Sequence, residues 1–259
     1  LFYGSDETKD KWISKILTLR RDDLFELLND DELEDLLGVS EIKKALHVKK
    51  GLFLQPLELK KKLLEHRFIK TILNEKFVSF TEKKNKVEVH FKSGLSKSYD
   101  ALAVCTGKGL KDFNDNLKVS YGQMAGISNK DLFNIKMPLN HQGYIIPKVN
   151  GTNWIGSTYE QSPDFKKENI EEKVKLNHAI FGKKGMSFEI QDLWEGERVS
   201  AENNLPIASK IPEAKNIYCI GGLGSRGLSY APFLAEIVSS AIQDKQIPLG
   251  KEIFTLLNI

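Results

Sequence analysis

Ile217-Tyr-Cys-Ile-Gly-Gly222-Leu-Gly224-Ser-Arg-Gly227-Leu228 decides how this chain of 259 residues is read. An apolar run enters the stretch, a G-x-G-x-x-G spacing follows, and a helical pattern from Leu228 to Ile242 leaves it. Glycine has no Cβ, so such a turn lets backbone N–H groups at a helix N-terminus approach an anionic phosphate. In a dinucleotide fingerprint the turn opens a βαβ unit of about 30 residues, with an acidic residue on the second strand about 20 positions later. Here the helix is followed only by Gln243-Asp-Lys-Gln-Ile-Pro248 and a short tail. The stretch is therefore expected to close a cofactor site whose main fingerprint lies elsewhere, not to open a Rossmann unit.

Outward from that loop, 41% hydrophobic and 28% charged residues indicate an ordinary globular chain, long enough for one large domain or two interleaved ones. No apolar run approaches the roughly 18 residues that cross a bilayer, and the N-terminus lacks the basic-then-apolar order of a signal peptide. The expectation is no membrane partner and a cytoplasmic location. A net charge of +3 permits a polyanionic partner without requiring one. The lysine clusters Lys60 to Lys62 and Lys83-Lys84 read as solvated faces. Cys105 and Cys219 each sit in a predicted buried strand, as small apolar filler does. The five histidines show no H-x-x-x-H spacing and the two cysteines no C-x-x-C spacing, so no metal is expected.

From Ser5 a cap-like Ser-Asp-Glu leads into two predicted helices, the second carrying the acidic stretch Asp30 to Asp35 before Gly38. Val48 to Leu54 reads as a short strand around Gly51, and Pro56 starts a helix that ends near His66. Phe77 to Phe80 and Val87 to Phe91 alternate apolar and polar residues across Lys84-Asn85-Lys86, as paired antiparallel strands do, with another turn at Ser93-Gly94. Ala101-Leu-Ala-Val-Cys105-Thr106-Gly107 is continuously apolar until its last two residues, the pattern of a parallel strand covered on both faces with its carboxyl end at a ligand crevice. Val119 to Ile127, Gly143 to Val149 and Asn153 to Tyr159 form a strand-rich insert, with a helix from about Asn169 to Ile180. A buried parallel sheet and an antiparallel sheet inserted between its strands are implied.

The order of Ala103-Val-Cys105-Thr106-Gly107, Tyr121-Gly-Gln-Met, Gly143-Tyr144-Ile-Ile-Pro147, Trp154-Ile-Gly-Ser-Thr158, Glu197-Arg198-Val, Asn204-Leu-Pro206 and Gly222-Leu-Gly-Ser-Arg-Gly-Leu-Ser-Tyr-Ala-Pro232 resembles the amino-acid-oxidase and glycine-oxidase type of FAD-dependent oxidoreductase. Within that group it is most similar to the C-terminal flavin domain of the bifunctional tRNA 5-methylaminomethyl-2-thiouridine biosynthesis enzymes, through Leu-Gly-Ser-Arg-Gly-Leu followed by Ala-Pro and a helix. The resemblance runs from about Gly38 to the end. It implies an α/β fold, namely a truncated FAD/NAD(P)-binding parallel-sheet domain with an inserted antiparallel α+β substrate domain. The implied boundaries are a helical segment 1–50 packing on the substrate domain, flavin-domain parts at 51–118 and 204–259, and the substrate domain at 119–203.

Family members begin the flavin domain with a strand, a G-x-G-x-x-G turn and a helix, and the bifunctional enzymes carry a methyltransferase domain before that. This sequence starts after both, so it is expected to be a fragment whose partners include the missing N-terminal flavin unit and the methyltransferase domain. The missing turn normally holds the FAD pyrophosphate and ribose, so the resemblance implies FAD as cofactor but not tight binding by this chain alone. An exposed parallel-sheet edge is an association hazard, which admits a homodimer.

The implied reaction is oxidation of the C–N bond of a carboxymethylamino group on the wobble uridine of tRNA: hydride passes to the flavin, the imine hydrolyses, and glyoxylate leaves an aminomethyl group. The cofactor carries the hard step, and the protein must position the amine and anchor its carboxylate. Arg198 matches the carboxylate-binding arginine; the alternative is an ion pair with Glu195, Glu197 or Glu202. Tyr144 matches a tyrosine whose hydroxyl meets the same carboxylate, or else is core with a wet tip. Gly222, Gly224, Ser225, Arg226, Gly227 and Leu228 match the backbone donors at the flavin ring, against a plain strand-to-helix turn. Thr106 and Gly107 match the strand end beside the FAD phosphates, against a bare strand terminus. Phe77 matches the residue whose backbone meets adenine, against core packing. Three functions stay open: demodification of a tRNA wobble uridine, oxidation of a free amine such as glycine or sarcosine, and a catalytically inactive fragment lacking FAD.

Overall fold

A computed structural model describes residues 2–3, 7–37, 42, 44–127, 136–140, 143–149, 151–179 and 188–246. In chain order the strands are β1 (Phe2–Tyr3), β2 (Phe25–Asn29), β3 (Lys44–Val48), β4 (Phe77–Lys83), β5 (Lys86–Phe91), β6 (Ser96–Tyr99), β7 (Leu102–Val104), β8 (Leu117–Ile127), β9 (Leu139–Asn140), β10 (Tyr144–Val149), β11 (Thr152–Gly156), β12 (Ile190–Ala201), β13 (Ile207–Lys210) and β14 (Ile217–Gly221). The helices are α1 (Glu7–Leu17), α2 (Asp30–Leu37), α3 (Pro56–Leu64), α4 (Lys167–Ala179) and α5 (Gly227–Ile242). They divide into two compact units, the first made of Leu1–His66 and Tyr121–Gly196, the second of Arg67–Ser120 and Glu197–Ile259.

The first unit is built on a sheet with the order β12-β8-β11-β10-β9-β1-β3-β2. Its β8, β11 and β10 pair antiparallel, which turns alternate residues to opposite faces. Ala125, Ile127, Ile145 and Ile155 face one side and pack there against Leu33 and Leu37 of α2 and Ile170 and Val174 of α4. Full burial of each leucine, isoleucine or valine side chain among them contributes about 2 kcal/mol.

Phe25–Asn29, within the stretch read only as two helices, is a strand paired antiparallel with β3 from Phe25 opposite Val48 to Asn29 opposite Lys44. Asn29 and Glu32 explain the break. The Glu32 N–H donates to Asn29 Oδ1 at 3.1 Å and the Asn29 N–H to Glu32 Oε2 at 2.9 Å. This reciprocal cap starts α2 at Asp30 and sets Asp30, Asp31 and Glu32 at the positive end of its dipole. The ends proposed at Ser5 and Gly38 lie outside the described residues. The strand expected over Val48 to Leu54 stops at Val48, where the Gly51 N–H returns to the Val48 carbonyl at 2.9 Å and Leu52, Phe53 and Leu54 are exposed. Pro56 does open α3, directly after its N-cap Gln55, and no residue of that helix is buried.

In the second unit the meander β4-β5-β6 and the sheet β13-β14-β7 are joined by one core, with Val87 and Val89 from the first and Val104, Ile207, Ile217 and Cys219 from the second. Tyr218 points the other way and joins Leu234, Ile237 and Val238 of α5. The pairing is mixed: β14 runs parallel to β7 and antiparallel to β13. The parallel strand expected from Ala101 to Gly107 is shorter than its apolar pattern, and Cys105 is exposed while Cys219 is buried. Desolvation nonetheless holds the Cys105 thiol above its ordinary value, with Cys219 adding to the effect and a backbone N–H from Ile220 opposing it. Glu82, at the end of β4, ties distant segments together by accepting from the Lys215 N–H at 3.0 Å and the Asn216 N–H at 2.7 Å.

Candidate active site

Because β7 and β14 are parallel, their carboxyl ends lie at the same edge of their sheet, the position where ligands bind in α/β folds. Thr106 and Gly107 follow β7 there, and the loop from Gly222 to Arg226 follows β14 into α5. Gly222 and Gly224 take φ of +65° and +56°, which only glycine adopts without strain. A Cβ on Gly224 would lie 2.8 Å from Ser200 Oγ, and one on Gly222 would lie 3.3 Å from the Ala201 nitrogen. The loop is thus pressed onto the end of β12, where Leu223 and Ser200 form a bridge. Gly227 differs, with φ of −52° and no heavy atom nearer than 4.0 Å to its missing Cβ.

Arg226 offers the site only its backbone. Its guanidinium donates to the Asn204 carbonyl and lies over the Tyr230 ring at 5.1 Å. Asn204, from the Asn204-Leu-Pro206 motif, sits at φ +57° and presents that carbonyl. Among the described residues no side chain caps the start of α5, whose first N–H groups therefore lack a side-chain acceptor there.

Arg198 stands two residues before Ser200 on β12 and is half-buried. Of the acids near it in sequence, Glu195 accepts from Gln123 Nε2 at 3.0 Å, Glu197 pairs with Lys108 at 3.0 Å, and Glu202 pairs with Lys118 at 3.5 Å. Phe77 is set apart from this group. Its ring packs beside Phe80, with centroids 6.4 Å apart, against the core of the second unit.

Tyr144 belongs to the first unit, on the sheet face opposite the one covered by α2 and α4. Tyr144 opposes Gly156, Gly156 opposes Met124, and the Tyr144 hydroxyl reaches across the side-chain-free gap to Met124 Sδ at 3.7 Å. The register of the next pair follows from two contacts, Gln123 with Glu195 and Gly126 with Asp192, and sets Trp194 opposite Met124. One row therefore reads Trp194, Met124, Gly156, Tyr144 across β12, β8, β11 and β10. Asp192, Gly126, Trp154 and Ile146 form the row beside it.

On the covered face, Gln123 is 1% exposed, and its Oε1 has no hydrogen-bond partner among the described residues. Its backbone N–H donates to the buried Thr158 hydroxyl at 2.8 Å, and its carbonyl accepts from the Thr158 N–H at 3.1 Å. Sequence reading singled out neither Trp194 nor Gln123 for function. The only signals were the Tyr121-Gly122-Gln123-Met124 motif and the alternation of β12, and alternation assigns faces only once register is known. Among the described residues no three His, Cys, Asp or Glu side chains gather as a metal site, and no helix is long and apolar enough to cross a membrane.

Residues 1–241 match the sequence model of a family described as DAO, FAD dependent oxidoreductase. Among curated proteins, the chain is similar to the tRNA 5-methylaminomethyl-2-thiouridine biosynthesis bifunctional protein MnmC of Pseudoalteromonas atlantica, 24% identical over 235 residues that cover 72% of this chain and 33% of that protein. The MnmC of Idiomarina loihiensis is 23% identical over 251 residues, covering 92% of this chain and 41% of that protein. The chain thus spans well under half the length of these relatives. Among solved structures, glycine oxidase from Bacillus cereus matches with a TM-score of 0.80 at 18% identity, covering 96% of this chain and 74% of that one. Iminodiacetate oxidase from Chelativorans sp. matches with a TM-score of 0.81 at 15% identity, covering 98% and 74%. At these identities the structural likeness establishes the fold alone.

Proposed function

Since this chain belongs to the DAO family of FAD-dependent oxidoreductases, which act on C–N bonds, we propose that it removes the carboxymethyl group from 5-carboxymethylaminomethyl(-2-thio)uridine at the tRNA wobble position, leaving the 5-aminomethyl form. The observation that carries the cofactor assignment is the glycine loop. Gly222 and Gly224 form a cradle that a Cβ would fill, at the uncapped start of α5 and beside the carboxyl end of β7. Those residues fit FAD, whose flavin ring presents carbonyl acceptors and whose phosphates favour a helix N-terminus. When bound, FAD supplies the hydride acceptor for C–N oxidation.

The chain's own groups then have these roles. Backbone donors from Gly222 to Leu228 hold the ring, Thr106 and Gly107 flank the phosphates, and the Phe77 backbone is assigned to adenine. Arg198 is the cation for the substrate carboxylate, because a planar guanidinium meets a carboxylate with two parallel hydrogen bonds. Tyr144 is the hydroxyl that donates to the same carboxylate. The tRNA substrate is supported by the name shared by the curated relatives. A preceding flavin unit, a methyltransferase domain in the same bifunctional protein and a cytoplasmic setting complete the reading.

The test is a full-length preparation, yellow from bound flavin, incubated with tRNA carrying the carboxymethylamino nucleoside and analysed by mass spectrometry of its digest. Conversion to the aminomethyl nucleoside with release of glyoxylate is expected. Turnover confined to free glycine or sarcosine, or a colourless preparation that FAD does not bind, overturns the proposal.

A further inference from the structure

Arg226 is exposed, yet its side chain is held at three points within the second unit. One guanidinium nitrogen donates to the Asn204 carbonyl, another donates to the Tyr230 hydroxyl at 3.4 Å, and the guanidinium carbon lies over the Tyr230 ring at 5.1 Å. Tyr230 stands four residues on, in the first turn of α5. Asn204 closes the turn that follows β12, with its N–H on the Ala201 carbonyl at 2.9 Å and φ of +57°. Arg226 therefore ties the start of α5 to the turn at the end of β12. At the other end of the loop the bridge between Leu223 and Ser200 makes a second tie to β12, so the stretch from Leu223 to Arg226 is fastened at both ends.

The loop's own residues supply little of that restraint. Inside it the Arg226 N–H returns to the Leu223 carbonyl at 3.1 Å, while Gly222 and Gly224 have the most backbone freedom to lose. Backbone donors bind a ligand tightly only when ordered in advance, because ordering them on binding subtracts from the affinity. A guanidinium suits the task better than an ammonium, since its donors are fixed in one plane and that plane can rest on an aromatic ring. We infer that the Arg226 side chain is a positioning residue for the cofactor loop. By clamping the Asn204 carbonyl and Tyr230 together, it holds the N–H groups at the start of α5 in their binding arrangement before the ligand arrives. The inference rests on the proposed function for the identity of that ligand, the flavin.

The test compares full-length wild type, Arg226→Met and Arg226→Lys, each stripped of flavin, by amide hydrogen exchange and by titration with FAD followed through flavin fluorescence. Arg226→Met keeps an unbranched stem and loses every donor. Its amides from Gly222 to Leu228 are expected to exchange about tenfold faster while those of β14 stay as in wild type, and FAD is expected to bind about tenfold more weakly, the scale of one charge-assisted hydrogen bond. Arg226→Lys, which retains a donor for Asn204 but not the plane, is expected to fall between the two. Wild-type exchange and wild-type FAD affinity in Arg226→Met refute the clamp. Exchange that quickens equally in β14 and the loop also refutes it, because such a residue supports the whole unit. Weaker FAD binding with unaltered loop exchange refutes it too, since Arg226 then meets the cofactor itself. Faster exchange confined to the loop with unaltered FAD affinity leaves the clamp standing and overturns the reading of this loop as the flavin seat instead.

Discussion

In the second unit the candidate groups are backbone amides, gathered by a loop whose Gly222 and Gly224 lie against Ser200 and Ala201. In the first unit they are side chains, Tyr144 and Met124, standing in one row of a sheet with a glycine in the gap. A site of the first kind is spoiled by any Cβ, whatever chemistry it carries. A site of the second kind depends on the chemistry of each side chain and on the gaps between them. The interiors differ as well. Among the described residues, the buried polar atoms without partners, on Gln123, Asn153, Glu160 and Asn177, all belong to the first unit. Such atoms cost stability unless water or a ligand meets them.

The comparison breaks most visibly at Arg198, the side chain proposed for the substrate carboxylate in the unit otherwise marked by backbone. Arg198→Ala is expected to lower turnover about 100-fold, near 3 kcal/mol, while visible absorbance shows that flavin is retained. Unchanged steady-state kinetics would remove its assigned role. Next in size is Gly224→Val, which adds a side chain at φ +56° and 2.8 Å from Ser200 Oγ. About 2 kcal/mol of stability should go, and flavin content with it. Gly227→Ala is its control, because φ is −52° and there is open space, so its thermal midpoint should hold or rise.

Gly156→Ala sharpens the picture of the row. The new methyl would meet Met124 Cγ at 2.8 Å and close the gap before Tyr144, so KM for tRNA should rise by a factor corresponding to about 1 kcal/mol, with flavin content unchanged. Smallest is the effect at Glu82. The N–H groups of Lys215 and then Asn216 hold its carboxylate below the ordinary value. A depressed folded value means the stabilisation is present above the unfolded glutamate value and is lost as pH falls through the folded one. Melting curves on acidification across that window should therefore decline less steeply in Glu82→Gln than in wild type.

Much of this was legible in the chain because the signals were local. Lys83 opposes Lys86 across a two-residue turn with Lys84 at φ +53°, as the alternation on either side of Lys84-Asn85-Lys86 predicts. The passage from β14 through the glycine loop into α5 was equally plain. Phe25–Asn29 was hidden because leucines followed by acids give helical spacing, and only the cap at Asn29 and the pairing with β3 override it. Cys105 was misplaced because an apolar run fixes composition and not length, and β7 ends at Val104. The place of Trp194 beside Met124 could not be found at all, since its neighbours are set by cross-strand register over distances that no local pattern carries.

The split of the second unit between 67–120 and 197–259 bears on how it is made. The strand paired with β7 is β14, and the core shared by Val87 and Val104 needs Ile217 and Cys219 from more than a hundred residues downstream. On a ribosome, the early meander must wait with its apolar side uncovered until the late segment emerges. High contact order of this kind makes folding slow, and it exposes the nascent chain to aggregation before a native contact can protect it.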